Sequence, residues 1–411
     1  MTYESDEIKK KAFSAKYKKA SLGADLDLDK YSTIPSSNEP IDDLTVLGKE
    51  EQQTLRMSGV IPEAHNRAGT FVLMDASVVL NNVSQKGVEI LNTGDALEKY
   101  PWLKNYWWQT VDVDTDKYTA SAELEGKKEA LGYFVRVLPG VKTTFPIQSC
   151  LYLSQDNISQ NVHNILIVEE GASLDIITGC ATSRHVQRGA HIGVSEFFVK
   201  RNGRLSFTMI HNWKPKVEVR PRSAAIVEEG GIFLSNYICM QPVRSLQMYP
   251  TTKLVGRNAI ARYNSILLAS PKTELDIGSR VHLKAPGCRA EVISRAISTG
   301  GKIWARGHLI GDAPEVKAHL ECHGLLLKEG GFIHAIPQLD GLVPNIDLSH
   351  EASIGKIAKE AVEYLMARGL TEEEAIATIV RGFLDVKIEG LPLELQSELD
   401  KVIATSRESM L

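Results

Sequence analysis

Between about Pro146 and Pro344 the chain repeats one pattern, a short run of β-branched and apolar residues followed by a glycine-centred polar turn and a second such run. Asn164-Ile-Leu-Ile-Val-Glu-Glu-Gly-Ala-Ser-Leu-Asp-Ile-Ile gives way to Glu196-Phe-Phe-Val-Lys-Arg-Asn-Gly-Arg-Leu-Ser-Phe, then to Ala224-Ala-Ile-Val-Glu-Glu-Gly-Gly-Ile-Phe-Leu-Ser. Later copies begin at Thr251 and Ala318. Their periodicity suits strands rather than helices. The turn glycines Gly171, Gly203, Gly231, Gly256 and Gly287 recur at intervals of 32, 28, 25 and 31 residues. Repeats of roughly 20–50 residues mark solenoids, because one unit buries its apolar face only when its neighbours stack on it. The turns of a β-sandwich recur about every 8–12 residues, a much shorter interval. The pattern therefore predicts a mainly β protein with a right-handed β-helix (β-solenoid) core over residues 146–345.

After Ser349 the period becomes helical, with Ile354, Ile357, Ala361, Tyr364 and Leu365 on one stripe and Gly369 as a stop. Thr371 and Glu374 form a capping box for a second helix, and Pro392 suits the first turn of a third. This predicts a C-terminal helical domain over 346–411. Its apolar stripes exceed what three short helices bury among themselves, which marks it as a docking surface. Residues 1–145 read as a small helical and mixed region. It holds a helix near 6–20, a polar stretch from Ser32 to Pro40, a strand at Thr70–Met74, and an aromatic cluster of Trp102, Tyr106, Trp107 and Trp108 that suits packing.

Charge changes the picture by exclusion: 47 basic residues against 51 acidic ones leave a net charge of −4, without the basic excess that phosphate-backbone binding needs. Nucleic acid is not an expected partner. The N-terminus lacks the apolar stretch of a secretory signal and no apolar run reaches membrane-spanning length, so the expectation is a soluble cytoplasmic protein. The five cysteines, Cys150, Cys180, Cys239, Cys288 and Cys322, are scattered and contain no C-x-x-C, which fits neither a disulfide framework nor a zinc finger. Free thiols are expected, and for each the plain alternative is a small buried hydrophobe.

Several segments resemble the SufB/SufD family of iron–sulfur cluster assembly scaffolds, and SufB more closely. They are Leu174-Asp-Ile-Ile-Thr-Gly-Cys180, Ala190-His-Ile-Gly-Val-Ser-Glu196, Ile210-His-Asn-Trp213, Leu320-Glu-Cys322 through Leu327, Leu348-Ser-His-Glu-Ala-Ser-Ile-Gly-Lys-Ile357, and Arg368-Gly-Leu through Phe383. The resemblance covers about residues 150–405. It implies a β-helix core, a C-terminal helical domain that docks a SufC-like ABC-type ATPase, and a transient iron–sulfur cluster as cargo. It also implies a sulfur donor and recipient apo-proteins as partners. The chain has no G-x-x-x-x-G-K-[ST] motif, so ATP hydrolysis is expected of the partner and the chain is expected not to be an enzyme.

By the same resemblance Cys322 is the cluster-holding cysteine, while His350 and Glu351 match positions that supply non-cysteine ligands. A homodimer would pool two copies of each, thiolate being the soft ligand and the oxygen or nitrogen ligands making a looser site. Strand alternation puts Cys322 with Leu320 on one face and His319, Glu321 and His323 on the other. The plain alternative for His350 and Glu351 is the start of a helix capped by Ser349. Cys180 matches the cysteine that receives sulfur for relay through the β-helix. Arg184, His185 and Arg188 would favour its thiolate if their loop folds back. Two rivals remain: a carbohydrate-active β-helix enzyme built on acids such as Asp175, Glu196 and Glu218, and a SufD-like structural partner without its own cluster.

Overall fold

The computed structural model describes residues 3–32, 38–64, 66–126, 128 and 131–384. The chain winds into a β-solenoid of about eight turns, each coil laying one strand on each of two facing sheets. Pairing within the coiled part is parallel and in register. Ile232, Ile260, Arg289, Lys317 and Asp347 follow one another across one sheet, so a coil takes 28 to 30 residues. Inward-facing positions form one continuous apolar core running from Phe71 to Cys322.

The turns stack as regularly as the strands. Gly171, Asn202, Gly230 and Asn258 each donate a backbone N–H to the next turn, to Arg201, Glu229, Arg257 and Pro286 respectively, at 2.8 to 3.1 Å. All four adopt the left-handed conformation, with φ between 53° and 66°. Glycine or asparagine fills it because these side chains tolerate it best. The glycines counted in the sequence at 203, 231 and 256 stand beside this position rather than in it. At Gly230 a Cβ would come within 2.3 Å of the Asn202 side chain, so this turn also needs the space.

Two features differ from the sequence reading. The solenoid strands begin at Gly69–Met74, which pairs in parallel with Ile147–Leu153, and they run past residue 345 through Asp347–Gly355. The expected helix start at Ser349 is therefore strand, because the preceding strand Lys317–Leu326 offers it a complete register. The helices come later, at Lys359–Met366 and Glu372–Leu384. The capping box is present: the backbone N–H of Thr371 donates to Glu374 Oε2 at 2.8 Å, and that of Glu374 to Thr371 Oγ1 at 3.2 Å. The third helix, expected near Pro392, lies outside the described residues.

The second helix does not leave its apolar stripe open. Ala377, Val380 and Leu384 pack on Ile177, Ile210, Ile238, Ile266 and Ile297, an isoleucine ladder on the outer face of one sheet. Part of the apolar stripe expected to form a docking surface is thus filled by the solenoid itself, while Tyr364 (57 %) and Met366 (42 %) on the first helix stay exposed. No helix among the described residues is long and apolar enough to cross a membrane.

Candidate functional site

In the strand Lys317–Leu326 burial alternates residue by residue. Ala318, Leu320 and Cys322 turn into the core, while His319, Glu321 and His323 face outward and are partly exposed. Cys322 is 3 % exposed. Burial, then the charge of Glu321, pushes its thiol up to about 11. The outward residues are engaged among themselves: Glu321 pairs with Arg295 at 3.1 Å and His323 at 2.9 Å, and His319 Nδ1 meets Ser349 Oγ at 2.9 Å.

The next strand, Asp347–Gly355, is the last of its sheet and is largely exposed. Its register places His350 beside Leu320, Glu351 beside Glu321 and Ala352 beside Cys322. Laterally paired residues of a sheet share a face. His350 therefore lies on the Cys322 face, two positions along, and Glu351 lies on the opposite one. Among the described residues no three His, Cys, Asp or Glu side chains gather closely enough to hold a metal ion.

Cys180 sits deep in the core in the N-terminal half of the solenoid, fully buried, on Ser173–Thr182, the fourth of ten strands in its sheet. Burial, with Cys150 as a second cause, holds its thiol well above the ordinary range. The cationic loop does not fold back onto it. Arg184 pairs with Glu50, and the Arg188 guanidinium lies over the Tyr31 ring at 4.9 Å. The expected thiolate-stabilising charge is thus spent elsewhere.

Cys180 has a different neighbour that the sequence reading did not single out. His211 stands beside it in register, with Cys239 on the far side of His211. His211 Nδ1 meets the Tyr237 hydroxyl at 2.6 Å, and its Nε2 is buried without a hydrogen-bond partner. Burial, then His191, lowers its pKa well below the ordinary value, leaving a neutral imidazole. The Ile210-His-Asn-Trp213 segment carried this histidine in plain sight; only the coil length places it next to Cys180.

From the Cys180 strand the inward-facing column Thr178, Met209, Tyr237, Ser265, Ser294 leads to Cys322, one residue per coil. Five strand spacings of about 4.8 Å make the path roughly 24 Å long. Met209 and Ser265 on this column are only partly buried.

The acids of the enzyme reading do not converge. Asp175 pairs with Arg204 at 2.8 Å, and Glu218 accepts from the Tyr31 hydroxyl. Glu196 is fully buried. It accepts from the backbone N–H groups of Trp108 (2.7 Å), Thr110 (2.5 Å) and Val111 (3.3 Å), and from Thr110 Oγ1 at 2.9 Å. It also contacts His163 Nε2 at 2.9 Å. It fastens the aromatic loop to the solenoid, with Trp107 stacked on His163 at 3.9 Å.

The class that the fold defines is a parallel β-solenoid, with thiols along its interior and a further thiol near its C-terminal end. A family model described as "SUF system FeS cluster assembly, SufBD core domain" matches residues 151–383. An "Iron-sulfur cluster assembly SufBD family protein" of Methanothermobacter thermautotrophicus is 46% identical over 404 residues, 98% of each chain. One of Archaeoglobus fulgidus is 48% identical over 361 residues, 88% of this chain and 96% of the relative. The "Iron-sulfur cluster assembly protein SufB" of Bacillus subtilis is 30% identical over 373 residues, 88% of this chain and 78% of the relative. The chain belongs to the SufBD family of iron–sulfur cluster assembly proteins.

Proposed function

We propose that this chain is the scaffold of a SUF-type assembly complex and builds a cluster where two copies meet at their open ends, working in the cytoplasm with a SufC-like ABC-type ATPase. One observation supports the reading: Cys322, the thiol nearest the C-terminal end of the solenoid, shares an inward face with His350 on the strand that ends its sheet among the described residues. An edge strand with unpaired backbone groups invites pairing with a twin. Such a contact brings two Cys322 thiols and two His350 imidazoles together, soft sulfur beside borderline nitrogen. Glu351 reaches the same cluster only from the outer face, by the edge of the strand.

Cys322 binds iron as a thiolate, and its burial opposes that form. Nucleotide-driven movement of the ATPase, docked through Tyr364 and Met366 on the exposed first helix, supplies the opening. Sulfur enters from a donor protein as the sulfane atom of a persulfide on Cys180. It passes to a thiolate nearer the open end, and each attack breaks one S–S bond, forms another and returns a thiolate. Recipient apo-proteins collect the finished cluster.

Anaerobic reconstitution with the ATPase present tests this, following visible absorbance and bound iron. Cys322→Ala is expected to lose nearly all cluster. Cys180→Ala is expected to build cluster from free sulfide yet fail when a protein donor supplies the sulfur. Wild-type cluster content in Cys322→Ala would remove the ligand assignment.

A further inference from the structure

A second concave site lies away from the thiol columns, on the outer face of the other sheet. The segment Ala20–Leu22 and the loop Thr110–Asp116 wall a groove of about 510 Å³ over that face, within the ~300–1,000 Å³ span of small-molecule sites. Its floor is basic, because Arg222, Lys253, Arg280 and Arg306 project from four neighbouring strands of the sheet.

Two of these cations are neutralised. Arg222 pairs with Asp116 at 2.8 Å, and Arg306 grips both oxygens of Asp276 at 2.5 and 3.0 Å. The other two are not. Arg280 donates to His308 Nδ1 at 3.2 Å and lies over the Tyr249 ring at 5.1 Å. Neither it nor Lys253 has a carboxylate within ion-pair reach among the described residues. The pairing of Thr251 with Arg280 places Lys253 one strand across and two positions along, roughly 8 Å away along the backbone. Asp112, on the rim, is exposed, where solvent and salt screen it.

A second observation concerns Gln247, which lines the same groove. It is 3 % exposed, and its side-chain Oε1 has no hydrogen-bond partner. A buried unsatisfied amide oxygen is costly unless something donates to it. The groove thus offers two uncompensated positive charges one strand apart, the hydroxyls of Thr251 and Tyr249 beside them, and an acceptor waiting for a donor.

We propose that this groove binds a small phosphate monoester, its dianion between Lys253 and Arg280 and its organic part donating to Gln247. A phosphate group carries about −1.5 to −2 charge at neutral pH and three acceptor oxygens, which matches two cations and adjoining hydroxyls. A single carboxylate would leave one cation unanswered. Inorganic phosphate satisfies the cations and leaves Gln247 unpaired.

Titration calorimetry of the full chain with inorganic phosphate, glycerol 3-phosphate and adenosine monophosphate tests the assignment, with adenosine and citrate as controls. At least one ester is expected to bind saturably and more tightly than inorganic phosphate. Lys253→Gln and Arg280→Gln should each weaken it about tenfold or more, while Arg257→Gln, on an exposed turn outside the groove, should change nothing. Gln247→Leu should erase the advantage of the ester over inorganic phosphate. Unchanged melting curves for Lys253→Gln and Arg280→Gln certify that loss of binding is local. The proposal is overturned if none of the three phosphates binds saturably, if adenosine or citrate binds as tightly as the best ester, or if both charge-removing variants bind like the wild type.

Discussion

Cys322 and Glu351 belong to adjacent paired strands yet face opposite sides of the sheet, Glu351 standing beside Glu321 and Cys322 beside Ala352. Two ligands assigned to one cluster are thus separated by the thickness of a backbone within a chain, whereas His350 is on the thiol's own side. The two non-cysteine candidates are therefore unequal. In anaerobic reconstitution His350→Ala is expected to lose several-fold more iron than Glu351→Ala, measured as iron per chain. Equal losses would show that the last strand is rotated or re-paired in the working complex.

Thiol labelling reads the same end of the molecule. All five cysteines are buried, and burial pushes Cys150 and Cys239 up to about 12 and Cys322 up to about 11. At pH 8 the native protein should react slowly with a thiol-specific disulfide reagent and fully once denatured. Cys322 should label first, because only one strand separates it from the edge of its sheet among the described residues. Peptide mapping of a partly labelled sample identifies the order.

Acid should loosen the opposite half. Burial lowers His191 to about 3 and His211 well below the ordinary value. Unfolded histidines take up protons near pH 6.5 while these two stay neutral, so the unfolded state binds more protons between those values and stability falls as pH falls. The loss is present in full only below the folded pKa values; above about pH 6.5 these groups contribute no pH dependence. Each contributes a slope of up to about 1.4 kcal/mol per pH unit inside the window. Denaturant midpoints at pH 7.5, 6 and 5 should drop progressively. His191→Gln should flatten the slope even though it lowers the starting stability.

Glu196 holds four donors and His163 in a dry pocket, so Glu196→Ala leaves several buried polar groups unpaired. A loss of about 3–5 kcal/mol is expected. Thermal denaturation gives the magnitude, and altered tryptophan fluorescence would place the damage at Trp107 and Trp108.

The two described C-terminal helices should separate by function. Val380→Asp puts a charge against the isoleucine ladder and should lower stability by several kcal/mol, with increased binding of a hydrophobic dye. Tyr364→Ala should leave the melting curve almost unchanged and weaken capture of the ATPase. The reverse pattern would move docking to the second helix.

The two-faced strand around Cys322 and the Thr371 capping box were legible because each is written in residues close together in the chain, and the coil period because the same strand–turn–strand unit recurs along it. The last strand was not. Leu348-Ser-His-Glu-Ala-Ser carries a helix-compatible composition, and only the register offered by a strand 30 residues earlier makes it extended. His211 was hidden for the same reason, being 31 positions from the cysteine it stands beside. The left-handed turn position is not marked by glycine alone, because Asn202 and Asn258 occupy it in alternate coils. The resemblance named Cys180 and Cys322, but the protonation of both thiols depends on depth, which no motif records.

The two ends of the solenoid are unlike. At one end the sheets finish in strands that run antiparallel to their neighbours, Ser77–Val83 in one sheet and Val88–Asn92 in the other. At the other, among the described residues, they finish in parallel strands, Phe332–Gly341 and Asp347–Gly355. A second copy stacked head to tail would therefore set an antiparallel first strand against a parallel last one, breaking the single strand direction that the coils keep within the chain.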